Sequence, residues 1–314
     1  MTTTPPIAIN VDFHSIMTKE LVVVVGPTAI GKTRLAIALA QRLKTSIISA
    51  DSRQFFKEMS IGTAVPSKKE LEAAPHYFIQ HKSIHESYSV GDFEKEGLNR
   101  IDELFKTKDK VILVGGSGLY IKAIVAGLDA IPDVDPSIRK ELNNTLAVNG
   151  LDSLVQQLKA CDPGIIGSID PQNPRRVIRA LEVVLSTGQS LSTFQNKPKN
   201  PRPFNIRVIG LKANRDELYQ RIESRVDRMI SDGLVDEVKG LCDYKHLNAL
   251  QTVGYRELFD YFMGKKSLEE AILQIKQNSR RFAKRQMTWF GNQLTVNWYD
   301  YKTPEKEIFD NLFR

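Results

Sequence analysis

Residues 21–33, LVVVVGPTAIGKT, constrain this chain more than any other stretch. Four valines follow Leu21 and run into Gly26-Pro27, and a short apolar, β-branched run ended this way predicts a strand buried on both faces, as in a parallel sheet. Gly26 and Gly31 let the backbone between them turn tightly and point successive N–H groups inward at an anion, while Lys32 adds a mobile positive charge. Thr33 offers its hydroxyl to a magnesium ion. Residues 34–43, RLAIALAQRL, then continue at helical spacing without Pro or Gly, so the anion would also meet a helix N-terminus. The segment Gly26, Pro27, Thr28, Ala29, Ile30, Gly31, Lys32, Thr33 therefore reads as a loop for a phosphate or diphosphate compound, without specifying ATP.

Strand and helix signals continue to alternate. TSIISADSRQ (45–54) reads as a second short strand that delivers Asp51 to its carboxyl end, the edge that carries the chemistry in open α/β sheets. Residues 55–90 read as irregular, 93–105 as an amphipathic helix, and 111–114 as a third buried strand followed by a glycine turn and a helix. This alternation predicts an α/β fold with a parallel sheet flanked by helices. Hydrolases of nucleoside triphosphates usually end a later apolar strand with a magnesium-holding acid, but this strand ends in Gly115-Gly116-Ser117-Gly118. The acid at a strand end is Asp51, which shifts weight toward a transferase.

Two proline-rich joints, DAIPDVDP (129–136) and KPKNPRP (197–203), bracket a region with helical patterning only. The expected organisation is an extension over 1–20, a discontinuous sheet domain over 21–129 and 204–314, and a helical insertion over 130–203. RVIGL (207–211) resumes the sheet, a long helical region runs from Asp216 to Phe290, and QLTVNWY supplies a last strand.

With 41% hydrophobic and 26% charged residues, composition is that of a globular protein, and no apolar run approaches the roughly 20 residues of a membrane span. The first 20 residues lack the pattern of a secretory signal. Cys161 and Cys242 form neither a disulfide framework nor a zinc site, and a cytoplasmic location is expected. Forty-four Lys and Arg against 37 Asp and Glu leave a net charge of +7, a moderate excess whose distribution matters more than its size. No acid falls between Glu270 and Asp300, while Lys276, Arg280, Arg281, Lys284 and Arg285 cluster there. Lys276, Arg280 and Lys284 recur every four residues and predict a cationic helix face for RNA phosphates, with Ile272, Ile275, Phe282 and Trp289 on a packing face.

Several segments in this order resemble the tRNA dimethylallyltransferases of bacterial type: GPTAIGKT (26–33), SADSRQ (49–54), DFEKEG (92–97), VGGSGLYIKAIVAGL (114–128), NPRRVIRALEV (173–183), RVDRMISDGLVDEV (225–238), QTVGYRE (251–257) and RRFAKRQMTWF (280–290). The resemblance covers about residues 20–300 and implies a P-loop NTPase-like fold. It also implies transfer of a dimethylallyl group from dimethylallyl diphosphate to N6 of the adenosine 3′-adjacent to the anticodon, in tRNAs that read codons beginning with U. It assigns proton removal to Asp51, leaving-group stabilisation to the 26–33 loop and Arg225, and Mg2+ binding to Thr33. It places tRNA contacts at Asp51, Ser52, Arg53 and Gln54, at Ser117 and Arg139, and at Arg175, Arg176, Val177, Ile178 and Arg179. Further contacts are implied at Gln251, Gly254, Tyr255 and Arg256 and at Lys276, Arg280 and Lys284. The expected partners are the tRNA anticodon stem-loop and the diphosphate donor, without a membrane, for a monomeric protein.

The sequence departs from the family pattern at Ile30, where many members carry Ser, and at Val65, where Lys is common, with Lys68 and Lys69 nearby. No Cys/His zinc module follows the 280–290 segment. Other readings of the residues are a phosphate-loop kinase of a small metabolite, an adenylate isopentenyltransferase, and an RNA-binding protein without catalysis. Asp51 could also serve only as a helix cap, Arg225 as a solvated ion pair and Tyr255 as plain core.

Overall fold

The computed structural model describes residues 19–195, 197 and 201–313. All but the last two residues of the expected 1–20 extension lie outside them. The chain divides into two compact units, Met1–Ala126 with Arg202–Arg314, and Gly127–Pro201.

The first unit is built on six parallel strands in the order β3-β2-β4-β1-β5-β6. These are β1 (Glu20–Val25), β2 (Ile47–Ser49), β3 (His76–Tyr77), β4 (Lys110–Val114), β5 (Asn205–Lys212) and β6 (Asn297–Asp300). Every residue of β1 is buried, which explains the unbroken valine run: a central parallel strand has helices on both faces and no solvent side. Leu21, Val23 and Val25 pack into one apolar cluster and Val22 and Val24 into another, on the opposite face. Each such buried side chain contributes about 1.5–3 kcal/mol. The one charge on the strand, Glu20, sits at the amino end and is paired with Arg207 at 2.7 Å and Lys110 at 3.2 Å. The chain leaves β1 toward β2 and β3, returns through β4, and later places β5 on the other side of β1. The strand order therefore reverses beside β1, which puts its carboxyl end at the switch point where open α/β sheets bind ligands.

The helices of this unit are α1 (Lys32–Leu43), α2 (Lys68–Ala73), α3 (Val90–Phe105) and α4 (Gly118–Ala126). Residues 55–90 are more ordered than their sequence predicts. Ser67 and Glu70 close a reciprocal capping box on α2, a signal that a six-residue helix leaves too little periodicity to reveal.

The second unit contains α5 (Pro136–Cys161) and α6 (Pro174–Thr187). Two expected helices run together as α5, broken only at Gly150 with φ +78°. Leu142, Leu154, Leu158, Val177 and Leu181 form its core. Asn173 caps α6, Pro174 starts it and left-handed Gly188 ends it, the usual asymmetry of helix punctuation.

After β5 the first unit resumes with α7 (Arg215–Ser231), α8 (Leu234–Lys239), α9 (Tyr255–Phe262), α10 (Leu268–Gln293) and α11 (Glu305–Phe313). The single helical region expected over 216–290 is thus divided, with Gly233 and Gly254 at positive φ starting α8 and α9.

One buried group predicts acid sensitivity. His81 lies among Phe55, Phe78 and Tyr88 at ring distances of 5.2–5.4 Å, and both its ring nitrogens are buried without a hydrogen-bond partner. Burial, and secondarily Lys82, lower its pKa below the ordinary 6.5. Below pH 6.5 the unfolded chain therefore binds more protons than the folded one at this site, and stability falls as pH falls. His81→Phe keeps the ring and should flatten the dependence of melting temperature on pH in that range. His76, shifted in the same direction by burial, retains a slope of its own.

Candidate functional site

The loop after β1 is set by its glycines and by the helix it opens. Gly26 has φ +145°, and an added Cβ would fall 2.7 Å from the Leu211 carbonyl, so only glycine fits. Gly31, at φ +105°, is the N-cap of α1 and supplies no side-chain hydrogen bond to it. The first amides of α1 are thereby left to an anion, as at other helix N-termini. Ile30 is buried in the core, so the residue that departs from the family pattern contributes packing and backbone only. Lys32 donates to the Pro27 carbonyl at 2.8 Å and Thr33 is the second residue of α1.

Two further elements meet this loop. Asp51 follows β2, whose alignment beside β4 is carried one residue on by the Ala50 amide to the Val114 carbonyl. Its Oδ1 accepts from the Arg53 amide at 3.1 Å, closing a local turn and not a helix. From α7, Arg225 Nη1 donates to Thr28 Oγ1 at 3.3 Å. One turn earlier on the same helix, Arg221 Nε donates to the Ala29 carbonyl at 2.9 Å, and its guanidinium lies over the Tyr301 ring.

These groups line one cavity of about 1350 Å³. Lys32 is pushed down to about 8 by burial, against the attraction of Asp51 and with the repulsion of Arg225. Burial also lowers Arg225, and Asp51 opposes that shift. Two desolvated cations share one carboxylate, so the cavity favours a bound anion that restores the balance. The lining also includes the apolar side chains of Ile61, Val65, Pro66, Leu71, Met229 and Phe282. Val65 stands there without the common lysine, and Lys68 is also among the lining residues.

Among the sequence-predicted residues, Thr28, Ala29, Ile30, Gly31, Lys32, Thr33, Asp51, Gln54 and Arg225 are brought to the cavity. Gln54 is committed to the fold, its Nε2 donating to the carbonyls of Thr63 and Ala64 and its Oε1 accepting from Ser49. The Ser52 amide donates to Ser117 Oγ at 3.0 Å, and Arg53 Nη1 reaches the carbonyls of Asn248 and Ala249, each at 2.9 Å. That contact ties the sheet edge to the segment before Gln251 and Arg256, both of which are exposed.

Four positions expected at an RNA surface are core instead. Val177 and Ile178 are buried in the second unit because α6 turns its apolar side inward. Gly254 is buried, and Tyr255 is fully buried with its hydroxyl on Glu237 at 2.6 Å. Of the stripe Lys276, Arg280 and Lys284 on α10, only Lys284 stays open to solvent. Lys276 pairs with Asp227 at 2.6 Å and Arg280 with Glu223, both acids on α7. The exposed bases are Arg281, Lys284 and Arg285, and Phe282, expected to pack, lies among them at 39% exposure.

In the second unit Arg139 grips the fully buried Glu182, which also holds Arg179 at 3.4 Å. Arg175 and Arg176 are exposed. Sequence reasoning missed Glu182, Arg221 and Gln286. Arg221 was discoverable, since it precedes Arg225 by one helical turn.

A family model described as IPP transferase matches residues 54–293. The tRNA dimethylallyltransferase of Christiangramia forsetii is 53% identical over 296 residues, 94% of this chain and 98% of that one. Its namesake in Flavobacterium johnsoniae is 53% identical over 92% and 96% of the two chains. Among solved structures, the tRNA isopentenylpyrophosphate transferase of Bacillus halodurans superposes with TM-score 0.69 at 40% identity, covering 93% of this chain and 94% of that one. A eukaryotic dimethylallyltransferase acting on tRNA gives TM-score 0.74 at 28% identity, over 91% and 74%.

The lowered Lys32 predicts a pH signature. Above about 8 the free lysine loses its proton, whereas a bound diphosphate favours the charged form. Pyrophosphate affinity should fall as pH rises through this value, with proton uptake on binding, measurable by titration calorimetry in buffers of different ionisation enthalpy. Binding without proton uptake near pH 8 would contradict the assignment.

Proposed function

The chain belongs to the IPP transferase family, and from that membership we propose that it transfers a dimethylallyl group from dimethylallyl diphosphate to N6 of the adenosine 3′-adjacent to the anticodon, in tRNAs reading codons that begin with U. The observation that carries this reading is the convergence of Lys32, Arg225 and Asp51 on one cavity beside an uncapped helix start. When the allylic carbon–oxygen bond breaks, negative charge grows on the departing diphosphate. Lys32, Arg225 and the loop amides are placed to stabilise it, which is electrostatic catalysis by preorganised donors. The adenine amine is a weak nucleophile, its lone pair drawn into the ring. As its nitrogen bonds the allylic carbon, Asp51 accepts the departing proton. The adenine must leave its stack to reach the cavity, and Ser52, next to Asp51 in the chain, is held by Ser117.

Mg2+ belongs to the same reading. Among the described residues no cluster of three His, Cys, Asp or Glu could hold a metal. Thr33 lines the cavity; its hydroxyl would hold the ion, which would neutralise charge on the leaving group. Arg175 and Arg176 on α6, with the Arg139–Glu182–Arg179 group, supply phosphate contacts for the stem-loop. The proposed setting is a cytoplasmic monomer, and no helix among the described residues is long and apolar enough to cross a membrane.

The RNA-facing bases of α10 are then Arg281, Lys284 and Arg285. Neutralising them should lower the salt slope of tRNA binding by roughly one unit per charge, with pyrophosphate affinity retained. Neutralising Lys276 and Arg280 should leave that slope unchanged and lower the melting temperature, because their α7 partners lose them. The reverse pattern would return the four-residue stripe to the RNA.

Asp51→Asn retains shape and hydrogen bonding to adenine but cannot take the proton. Incubation with unmodified tRNA, dimethylallyl diphosphate and magnesium, followed by mass spectrometry of the nucleosides, should show wild-type transfer. In single turnover the variant should be slower by about 10²- to 10⁴-fold, with tRNA affinity within about tenfold. Near-normal transfer by the variant would remove Asp51 from the mechanism, and absence of wild-type transfer would remove the function.

A further inference from the structure

The side chain that ties the phosphate loop to the rest of the sheet edge is uncharged and comes from α10. Gln286 is buried, at 6% exposure, and forms two hydrogen bonds of opposite sense. Its Oε1 accepts from the Thr28 amide at 2.8 Å, and its Nε2 donates to the Gly116 carbonyl at 2.9 Å. Thr28 lies in the loop after β1, and Gly116 in the turn after β4. The ladder between these strands pairs Val24 with Val114 and closes with the Gly115 amide on the Val24 carbonyl. Beyond that point Gln286 supplies the next rung.

A primary amide accepts and donates at once, whereas a glutamate carboxylate would accept at Thr28 but leave Gly116 without a donor. The packing is tight on both sides. A Cβ on Gly116 would collide with Gln286 Nε2 and lie 3.7 Å from Lys32 Nζ, so the bridge and the cavity lysine occupy neighbouring space. On its other side, Thr28 Oγ1 receives Arg225.

We propose that Gln286 is a positioning residue for the diphosphate site. By holding Thr28 to Gly116 it fixes the curvature of loop 26–31 before any anion arrives, and with it the placement of Lys32 and of the Thr28–Arg225 contact. Affinity for the diphosphate is then partly prepaid by an amide on a helix that also presents Arg281, Lys284 and Arg285 outward. This rests on loop 26–33 being the diphosphate site.

The test is calorimetric binding of inorganic pyrophosphate with magnesium to the full chain, well below its melting temperature. Gln286→Met keeps length and loses both hydrogen bonds, and Gly116→Ala displaces the same amide from its other partner. Each should weaken pyrophosphate by about tenfold, while tRNA affinity stays within about twofold. The double variant should bind about as the weaker single variant does, because both remove one contact. A residue that merely packs α10 would lower the melting temperature and leave the pyrophosphate affinity of the folded protein unchanged; that result, or additive losses in the double variant, overturns the proposal. If Gln286→Met does not fold, Gly116→Ala decides alone by the same readout. A wild-type protein that does not bind pyrophosphate defeats the functional reading itself, which is a different outcome from wild-type binding with unaffected variants.

Discussion

Lys32 and Arg225 face one carboxylate, Asp51, in a cavity that strips water from both cations, and much of the surrounding structure holds that imbalance in place. Bringing like charges together without solvent is unfavourable, so each has to be anchored by elements that are stable for other reasons. The lysine is anchored by β1, whose burial on both faces fixes where the loop must start. The arginine is carried by α7, which also sends Arg221 onto the Ala29 carbonyl and is braced from behind by the pairs Asp227–Lys276 and Glu223–Arg280. The lowered pKa of Lys32 is the measurable trace of this arrangement. An anion entering the cavity relieves a repulsion built into the fold, and catalysis can use the part of that relief that grows as charge develops on the leaving group.

The phosphate loop was legible because its signal is local. Strand, glycine spacing, lysine and helix follow one another in 23 residues, 21–43, and each step depends on backbone geometry that its own residues dictate. Asp51 was legible for a related reason, as an acid at the end of a short apolar run. Arg225 was identified through resemblance alone, since in a charge-patterned helix nothing distinguishes a buried arginine from a solvated one. Its role becomes physical only once α7 is seen against Thr28. Gln286 and Glu182 carried no signal at all. A glutamine among arginines and a glutamate inside an apolar helix look like surface residues until the fold buries them, because their function lies in partners 258 and 43 positions away in sequence.

The basic stripe on α10 shows where periodicity misleads. Spacing of four puts Lys276, Arg280 and Lys284 on one helix face, but it does not say what lies opposite. The acids missing from 271–299 are supplied by another helix, and Asp227 and Glu223 on α7 recur with the same spacing, so two complementary stripes lie together and take the first two bases out of the exposed set. The neighbours one position on, Arg281 and Arg285, keep their charge at the surface. Phe282 follows the same logic: it was assigned to a packing face, yet it sits at the rim of the cavity, where an exposed aromatic ring beside a binding site is itself a functional signal.

That ring helps explain why a phosphate loop without an acid after β4 suits group transfer better than hydrolysis. An allylic diphosphate is charged at one end and oily at the other, and the cavity lining offers both kinds of group. Lys32, Thr33 and Arg225 line it together with Ile61, Val65, Met229 and Phe282. An allylic cation formed in such a space is consumed by whichever nucleophile is nearest. Apolar lining residues hold few waters, which on the proposed reading disfavours the competing hydrolysis. In that reading, the adenine amine that Asp51 would deprotonate is then the nucleophile that captures the cation.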